Sequence, residues 1–304
     1  NNVFFGNAAL SPTTSKVDAL SASIDHDFGN GVTLRNRTRY ADYDKFYQNV
    51  FPGAVNSTAS SVAISAYNQN TQRKNFFNQT DLTFEISAAG VKHKILTGLE
   101  IGQQTTDNLR QTGYFPSVGA NATSINVAIT KPYADGVTFR QSATDANNHS
   151  VAKNVAIYAQ DQIEFSPQWQ AILGLRYDNF GIDFTNNRNA QKIENTDTPI
   201  SPRAGLIYKP FTEMSLYASY SLAFAPRAGE QLSSLTVTNQ AFDPEKFKNI
   251  EVGAKWDVSK DLTLSAAVYQ LDRSNVAITD PSDSTKTILV DGQRSQGVEL
   301  AVSG

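Results

Sequence analysis

The chain has 304 residues, of which 40% are hydrophobic and 18% charged, with a formal net charge of −3 and no cysteine. That balance carries no basic footprint for nucleic acid, and the absence of thiols excludes disulfides, thiolate metal sites and cysteine nucleophiles. No run of about 18 apolar residues occurs, which excludes a transmembrane helix and leaves strands as the remaining way across a bilayer.

In chain order, apolar and polar residues first alternate over 16–28 (KVDALSASIDHDF) and 31–40 (GVTLRNRTRY), on either side of a turn at Gly29–Asn30. The second segment places Arg35, Arg37 and Arg39 opposite Val32, Leu34 and Tyr40. A polar stretch, 44–75, reads as a loop. Alternation resumes over 76–87 and 91–102, around a turn near Ala88–Gly90. The longest polar stretch, 103–150, holds Arg110, Tyr114, Phe115, Tyr133 and Arg140. Segments 151–165 and 168–184 form the next hairpin, with Arg176 in its second arm, and 185–199 reads as a loop. Segments 200–210, with Arg203, and 214–224 flank a turn at Pro210–Glu213. Phe224 and Arg227 stand at the root of a loop over 225–246. Segments 246–258 and 262–273 flank Ser259–Asp261. After a loop over 274–286, a last alternating segment runs from Lys286 to the end.

About eleven strands are expected, and no stretch carries a helical period. Their greasy faces could meet a second sheet in a sandwich, or lipid. Most segments run about 10 to 14 residues, against a globular mean of about 5–6 and the roughly 9–11 needed to cross a bilayer at a tilt. Short turns alternate with long polar stretches, the pattern of outer-membrane barrels. Phe28, Phe165, Trp169, Tyr208, Phe211 and Trp256 sit beside the short turns, and Tyr40, Tyr177, Phe180, Tyr220 and Phe224 towards the long stretches. Two such girdles mark the lipid–water boundaries of barrels. The expected fold is therefore an all-β, antiparallel transmembrane β-barrel. The face of Ile250, Val252, Ala254 and Trp256 meets lipid, and that of Glu251, Lys255 and Asp257 meets a polar lumen. Arg35, Arg37, Arg39, Arg176 and Arg203 are expected to face the lumen, because an arginine facing lipid at bilayer depth costs about 2–4 kcal/mol. There they would pair with acids or draw in an anionic ligand.

Several stretches resemble the TonB-dependent outer-membrane siderophore receptors, of the catecholate type. They are ISPRAGLIYKP (200–210) followed by SLYASYSLAFAPRAGE (215–230), FDPEKFKNIEVGAKWDV (242–258), DGQRSQGVELAVSG (291–304) and LRNRTRYADYD (34–44). The resemblance implies a barrel of about 22 strands with a plugged lumen. Residues 1–304 would be a part of it, with the plug and both barrel ends expected elsewhere. It implies a receptor in the outer membrane of a Gram-negative bacterium. Such a receptor binds a ferric siderophore outside and imports it with energy from TonB, which acts through the plug. Iron would arrive within the ligand, and no cofactor is expected. A passive porin of the same architecture is the alternative.

Ferric catecholates are anionic and aromatic. Arginine supplies charge and a planar stacking face, and tyrosine or phenylalanine supply rings. Arg110, Tyr114, Phe115, Tyr133, Arg140, Phe224 and Arg227 are therefore the expected ligand contacts. Catalysis and resident metal are not expected. His26, His93 and His149 lie far apart without a Glu-x-x-His partner, and no Gly-x-Ser-x-Gly or phosphate loop occurs.

Overall fold

The computed structural model describes residues 4–88, 90–226 and 242–304, so Arg227 lies outside the described residues. Among these the regular structure is all strand: β1 (Thr13–Gly29), β2 (Val32–Val55), β3 (Ser61–Ala88), β4 (Val91–Tyr114), β5 (Ser124–Ala128), β6 (Thr138–Arg140), β7 (Asn147–Glu164), β8 (Trp169–Asn186), β9 (Gln191–Asp197), β10 (Ile200–Phe211), β11 (Met214–Ala225), β12 (Glu245–Ser259), β13 (Leu262–Ser274), β14 (Val276–Asp280), β15 (Asp283–Val290) and β16 (Gln293–Ser303). A 14-stranded sheet follows the order β1-β2-β3-β4-β7-β8-β10-β11-β12-β13-β16, with β5, β6 and β9 pairing off that path. The path pairs are antiparallel.

Register carries one apolar face across the whole path. Leu216 pairs with Ala254 and Ala254 with Ala266, while Val252 pairs with Val268 and Val268 with Val298. These side chains are uncovered: Val252 is 51% exposed, Val268 52% and Leu175 54%. A sandwich would bury such a face. A barrel wall presents it to hydrocarbon. Trp169 and Tyr208 pair beside the short turns with rings 4.6 Å apart, as a girdle requires. Phe180, expected in the opposite girdle, pairs with Asn154 and alternates with Tyr177, so it belongs to the polar face instead.

The apolar face carries a polar interruption that satisfies itself. Asn36 donates to Asn78 at 3.2 Å and to Thr80 at 2.8 Å, and Asn78 donates back to Asn36 at 3.1 Å and to Thr38 at 2.7 Å. Polar groups facing hydrocarbon are tolerable when each finds a partner.

On the polar face, large rings rest on glycines of the next strand. Gly98 pairs with Tyr158, Gly253 with Tyr217, Gly297 with Tyr269 and Gly102 with Phe77. A Cβ at Gly98 would stand 2.4 Å from the Tyr158 ring, and one at Gly297 2.6 Å from the Tyr269 hydroxyl. The missing side chain is the room for the ring.

The structure departs from the sequence reading in where the strands stop. β2, β3 and β4 run 24, 28 and 24 residues, well beyond a bilayer's needs. Most of 44–75 and the start of 103–150 are therefore strand. The reversal between β2 and β3 is a tight turn at 56–60, where Asn56 Oδ1 accepts the Ser60 and Ser61 backbone N–H groups at 2.8 and 3.0 Å. Likewise 185–199 contains β9, paired with β8, and 274–286 contains β14 and part of β15, which pair with each other.

Alternation persists along these extensions, but its covering changes. Phe76 and Ala66 share one parity of β3. Phe76 is exposed, whereas Ala66, Ile64 and Val62 are buried with Val50, Phe115 and Ala134. Phe5, Leu10, Ile125, Val127, Val137 and Phe139 pack around them. This small water-side core rests on a close backbone approach at Gly6. With φ at +116°, a Cβ there would stand 1.9 Å from the Val50 carbonyl oxygen. Asn7 completes the dock, donating to the Ala134 carbonyl at 2.9 Å and accepting the Leu10 N–H at 3.1 Å.

Candidate functional site

The opposite parity of the same extensions is continuous with the lumen-lining residues below. On β2 it runs from Arg39 to Tyr47 and Phe51, on β3 from Phe77 to Tyr67, and on β4 from Glu100 to Arg110. Tyr67 is the centre of an aromatic cluster, edge-on to Tyr47 at 5.4 Å and to Phe51 at 5.5 Å. The Arg110 guanidinium stacks on the Tyr67 ring at 3.9 Å. Further along β4, the Arg140 guanidinium stacks on Tyr114 at 3.7 Å, on strands that pair Thr112 with Arg140.

Both arginines are held from behind. Arg140 donates through Nη2 to the Ala120 carbonyl at 2.7 Å and to Asn121 Oδ1 at 2.8 Å. Arg110 Nε lies 3.5 Å from Asp145 Oδ1. Asp145 is nearly fully buried. It accepts the Ser142 N–H at 2.7 Å, and the Thr112 N–H and hydroxyl at 2.9 Å each. Burial alone would raise its pKa. The donors from Ser142 and Thr112 outweigh burial and hold the carboxyl below its usual range. Burial, together with the neighbouring Tyr67 phenol, pushes the Tyr47 phenol up, so it stays neutral.

Of the residues expected from sequence to touch ligand, Arg110, Tyr114 and Arg140 thus enter two arginine-on-tyrosine stacks on one strand face, with Tyr114 itself buried beneath Arg140. Phe115 does not. Its neighbours in the water-side core cover it completely, so its ring holds the loop rather than facing a ligand. Tyr133 stands apart, half exposed, with its backbone bridged to Gly6. Phe224 borders a cavity of about 340 Å³, yet it alternates with Ala223 and Ala225 and pairs with Lys246, on the outward face of Tyr220. Arg227 is outside the described residues.

Register puts Arg35, Arg37, Arg39, Arg176 and Arg203 on the polar face. Arg35 bonds Asp25. Arg37 and Arg39 line a cavity of about 500 Å³ with Ser21, Ser23, Gln79 and Glu100. Arg176 bridges Glu100 at 2.9 Å and Asp178 at 2.8 Å. The Arg203 stem lies over Gly174, where a Cβ would stand 2.9 Å from its Cγ.

Tyr47, Phe51, Tyr67 and Asp145 were hidden from sequence reasoning because they fall in stretches read as loops. The alternation of Val62, Ile64 and Ala66 in SVAISAYNQN was the available signal that strand continued there.

Residues 1–304 match the family model described as TonB dependent receptor-like, beta-barrel. The probable TonB-dependent siderophore receptor PiuA of Acinetobacter baumannii is 27% identical over 315 residues, covering 92% of this chain and 40% of that protein. The catecholate siderophore receptor Fiu of Escherichia coli is 24% identical over 328 residues, covering 95% and 42%. The ferrioxamine B receptor of Salmonella typhimurium is 25% identical over 304 residues, covering 99% and 40%. The crystal structure of PiuA superposes with a TM-score of 0.82 at 22% identity, over 98% of this chain and 45% of that one. The closed form of Fiu does so at 0.79 and 20%, over 99% and 46%. These structural matches share the fold, and the chain spans less than half the length of either relative.

Proposed function

The chain belongs to the TonB-dependent receptor β-barrel family, and from that premise we propose that the whole protein is an outer-membrane receptor for a ferric siderophore. It binds the chelate at the mouth formed by the extended strands and imports it with energy delivered by TonB. TonB acts through a plug inside the barrel, a region distinct from the barrel strands that residues 1–304 match. Iron is cargo within the chelate.

The observation that carries the ligand assignment is the pair of arginine-on-tyrosine stacks, Arg110 on Tyr67 and Arg140 on Tyr114, on the face continuous with the lumen. A catecholate chelate offers negative charge for the guanidinium edge and rings for the aromatic faces. The names of the relatives span several ligands: a catecholate for Fiu, ferrioxamine B for the Salmonella receptor, and metal-pseudopaline for CntO of Pseudomonas aeruginosa. The side chains at the mouth, rather than the relatives, support a catecholate here.

Calorimetric titration of the protein expressed from its complete gene tests this, with ferric 2,3-dihydroxybenzoate and ferric hydroxamate as separate ligands. Tighter binding of the catecholate, weakened in Arg110→Ala at unchanged melting temperature, is expected. Equal binding of both chelates, indifferent to Arg110, would remove the mouth from the account.

A further inference from the structure

The outward face of β4 and β7 holds an ionisable pair among aliphatic side chains. His93 lies between Val91 and Ile95 on one parity of β4, and Asp161 between Ala159 and Ile163 on one parity of β7. Asp161 pairs with Ile95 and with the half-exposed Leu173, on the side of the wall opposite to Gly98 and Tyr158. His93 pairs with Ile163. Ile163 stands two residues and Asp161 four from Phe165 at the short turn. At about 3.3 Å per residue and a tilt of about 40°, these levels lie roughly 5 and 10 Å inside the girdle. Ionisable groups at such depth on a lipid-facing wall mark a site and call for a partner.

The pair satisfies only part of its own demand. His93 Nδ1 and Asp161 Oδ2 share a hydrogen bond of 2.7 Å. Among the described residues the carboxylate has no other partner, and its Oδ1 is buried without one. With Nδ1 engaged, the second imidazole nitrogen of His93 is left for a ligand. A carboxylate held by a single imidazole in an apolar wall favours a further cation with N–H groups to donate. The His93 and Asp161 side chains are 23% and 29% exposed, so both are open to the lipid. Asp161 also borders a groove of about 500 Å³ on the same face. Its other outward side chains include Ile95, Leu173 and Leu175, with the small Ala159 and Ala204 beside the leucines, since Leu175 pairs with Ala159 and Leu173 with Ala204. An apolar groove beside a carboxylate–imidazole pair is complementary to an amphiphile with a hydrocarbon chain and an ammonium head.

We propose that His93 and Asp161 form a binding site for a phospholipid with a primary ammonium headgroup, of the phosphatidylethanolamine type, in the leaflet on the short-turn side. His93 is the nearer of the two to the headgroup layer. The ammonium donates to its Nε2, while Asp161 holds Nδ1–H and adds its negative charge. An acyl chain lies over Ala159 and Ala204. A quaternary ammonium has no N–H to donate, which sets the selectivity. The site is on the outer wall and does not depend on what the mouth binds.

The test uses the protein from its complete gene in phosphatidylcholine nanodiscs doped with equal small fractions of phosphatidylethanolamine and phosphatidylglycerol, with retained lipid counted by native mass spectrometry. Enrichment of phosphatidylethanolamine over its bulk fraction is expected in the wild type. It should fall to the bulk fraction in Asp161→Asn, which keeps the side-chain shape and removes the charge, and in His93→Phe. Ala204→Phe, an exposed change that fills the groove and leaves the pair intact, should lower it as well and keeps the test informative if the other variants fail to insert. Equal retention in wild type and variants would overturn the proposal. So would enrichment of phosphatidylglycerol instead, which would assign His93 to the phosphate and leave Asp161 without a role.

Discussion

The Tyr217 ring lies against Gly253, its register partner on the neighbouring strand, and its hydroxyl donates to Glu251 at 2.5 Å. A Cβ at Gly253 would stand 2.6 Å from the ring. The glycine therefore sets the position of the phenol, and the phenol sets that of the lumen carboxylate.

Gly253→Val should lift the ring and break the bond to Glu251. The expected cost is about 1–3 kcal/mol, as for other overpacked sites. Urea unfolding in micelles would show it as an earlier midpoint, and Tyr217→Ala in the same chain should restore much of the loss. Absence of that rescue would mean the pair is not a packed unit.

Ala254 is one residue further along and faces the other way, between Leu216 and Ala266. Ala254→Arg should cost about 2–4 kcal/mol if that face meets hydrocarbon. Heat-modifiable gel mobility and membrane yield should both fall, while Ser265→Arg on the lumen face should leave them near wild type. Normal assembly of Ala254→Arg would contradict the lipid-facing assignment.

Asp145 makes the mouth sensitive to acid. Its folded pKa is lowered, so its stabilisation is complete above the ordinary carboxylate range and is lost as pH falls through the folded value. Hydrogen-exchange protection at residues 141–147, taken relative to the intrinsic amide rate at each pH, should be high near pH 7 and fall only once the pH drops below the ordinary carboxylate range. Asp145→Asn should show low protection at every pH in that range. The same variant frees Arg110 from its carboxylate and should weaken chelate binding.

Phe115 and Arg110 separate structure from recognition. Phe115→Ala empties a fully buried site and should destabilise the water-side core by about 3–5 kcal/mol. Arg110→Lys keeps the charge but loses the planar stack on Tyr67. It should lower catecholate affinity with little change in melting temperature. The reverse pattern, with Phe115 governing affinity directly and Arg110 governing melting, would invert the two roles.

Much of the wall could be read from sequence because alternation is a local signal. Residues such as Val252 and Glu251 declare their faces by parity alone, and the tight turns at Gly29–Asn30 and Ser259–Asp261 declare the reversals. The length of β2 and β3 could not be read the same way. Beyond the bilayer both faces become polar or thinly apolar, as in Asn68, Gln69 and Asn70, and hydropathy no longer distinguishes strand from loop. The burial of Phe115 was hidden for a related reason. What covers it, from Phe5 to Val50 and Ile64, is distant in sequence and assembled only by the pairing of β2, β3 and β5. The stack of Arg110 on Tyr67 needed the same register.

The most direct test of the central claim is uptake of radiolabelled iron by cells carrying the complete gene. Ferric 2,3-dihydroxybenzoate and ferric hydroxamate would be offered separately, in the presence and absence of TonB. Uptake of the catecholate that disappears without TonB and falls in Arg110→Ala is the expected result. Uptake of neither chelate, with small solutes entering regardless of TonB, would contradict it and point to a passive pore.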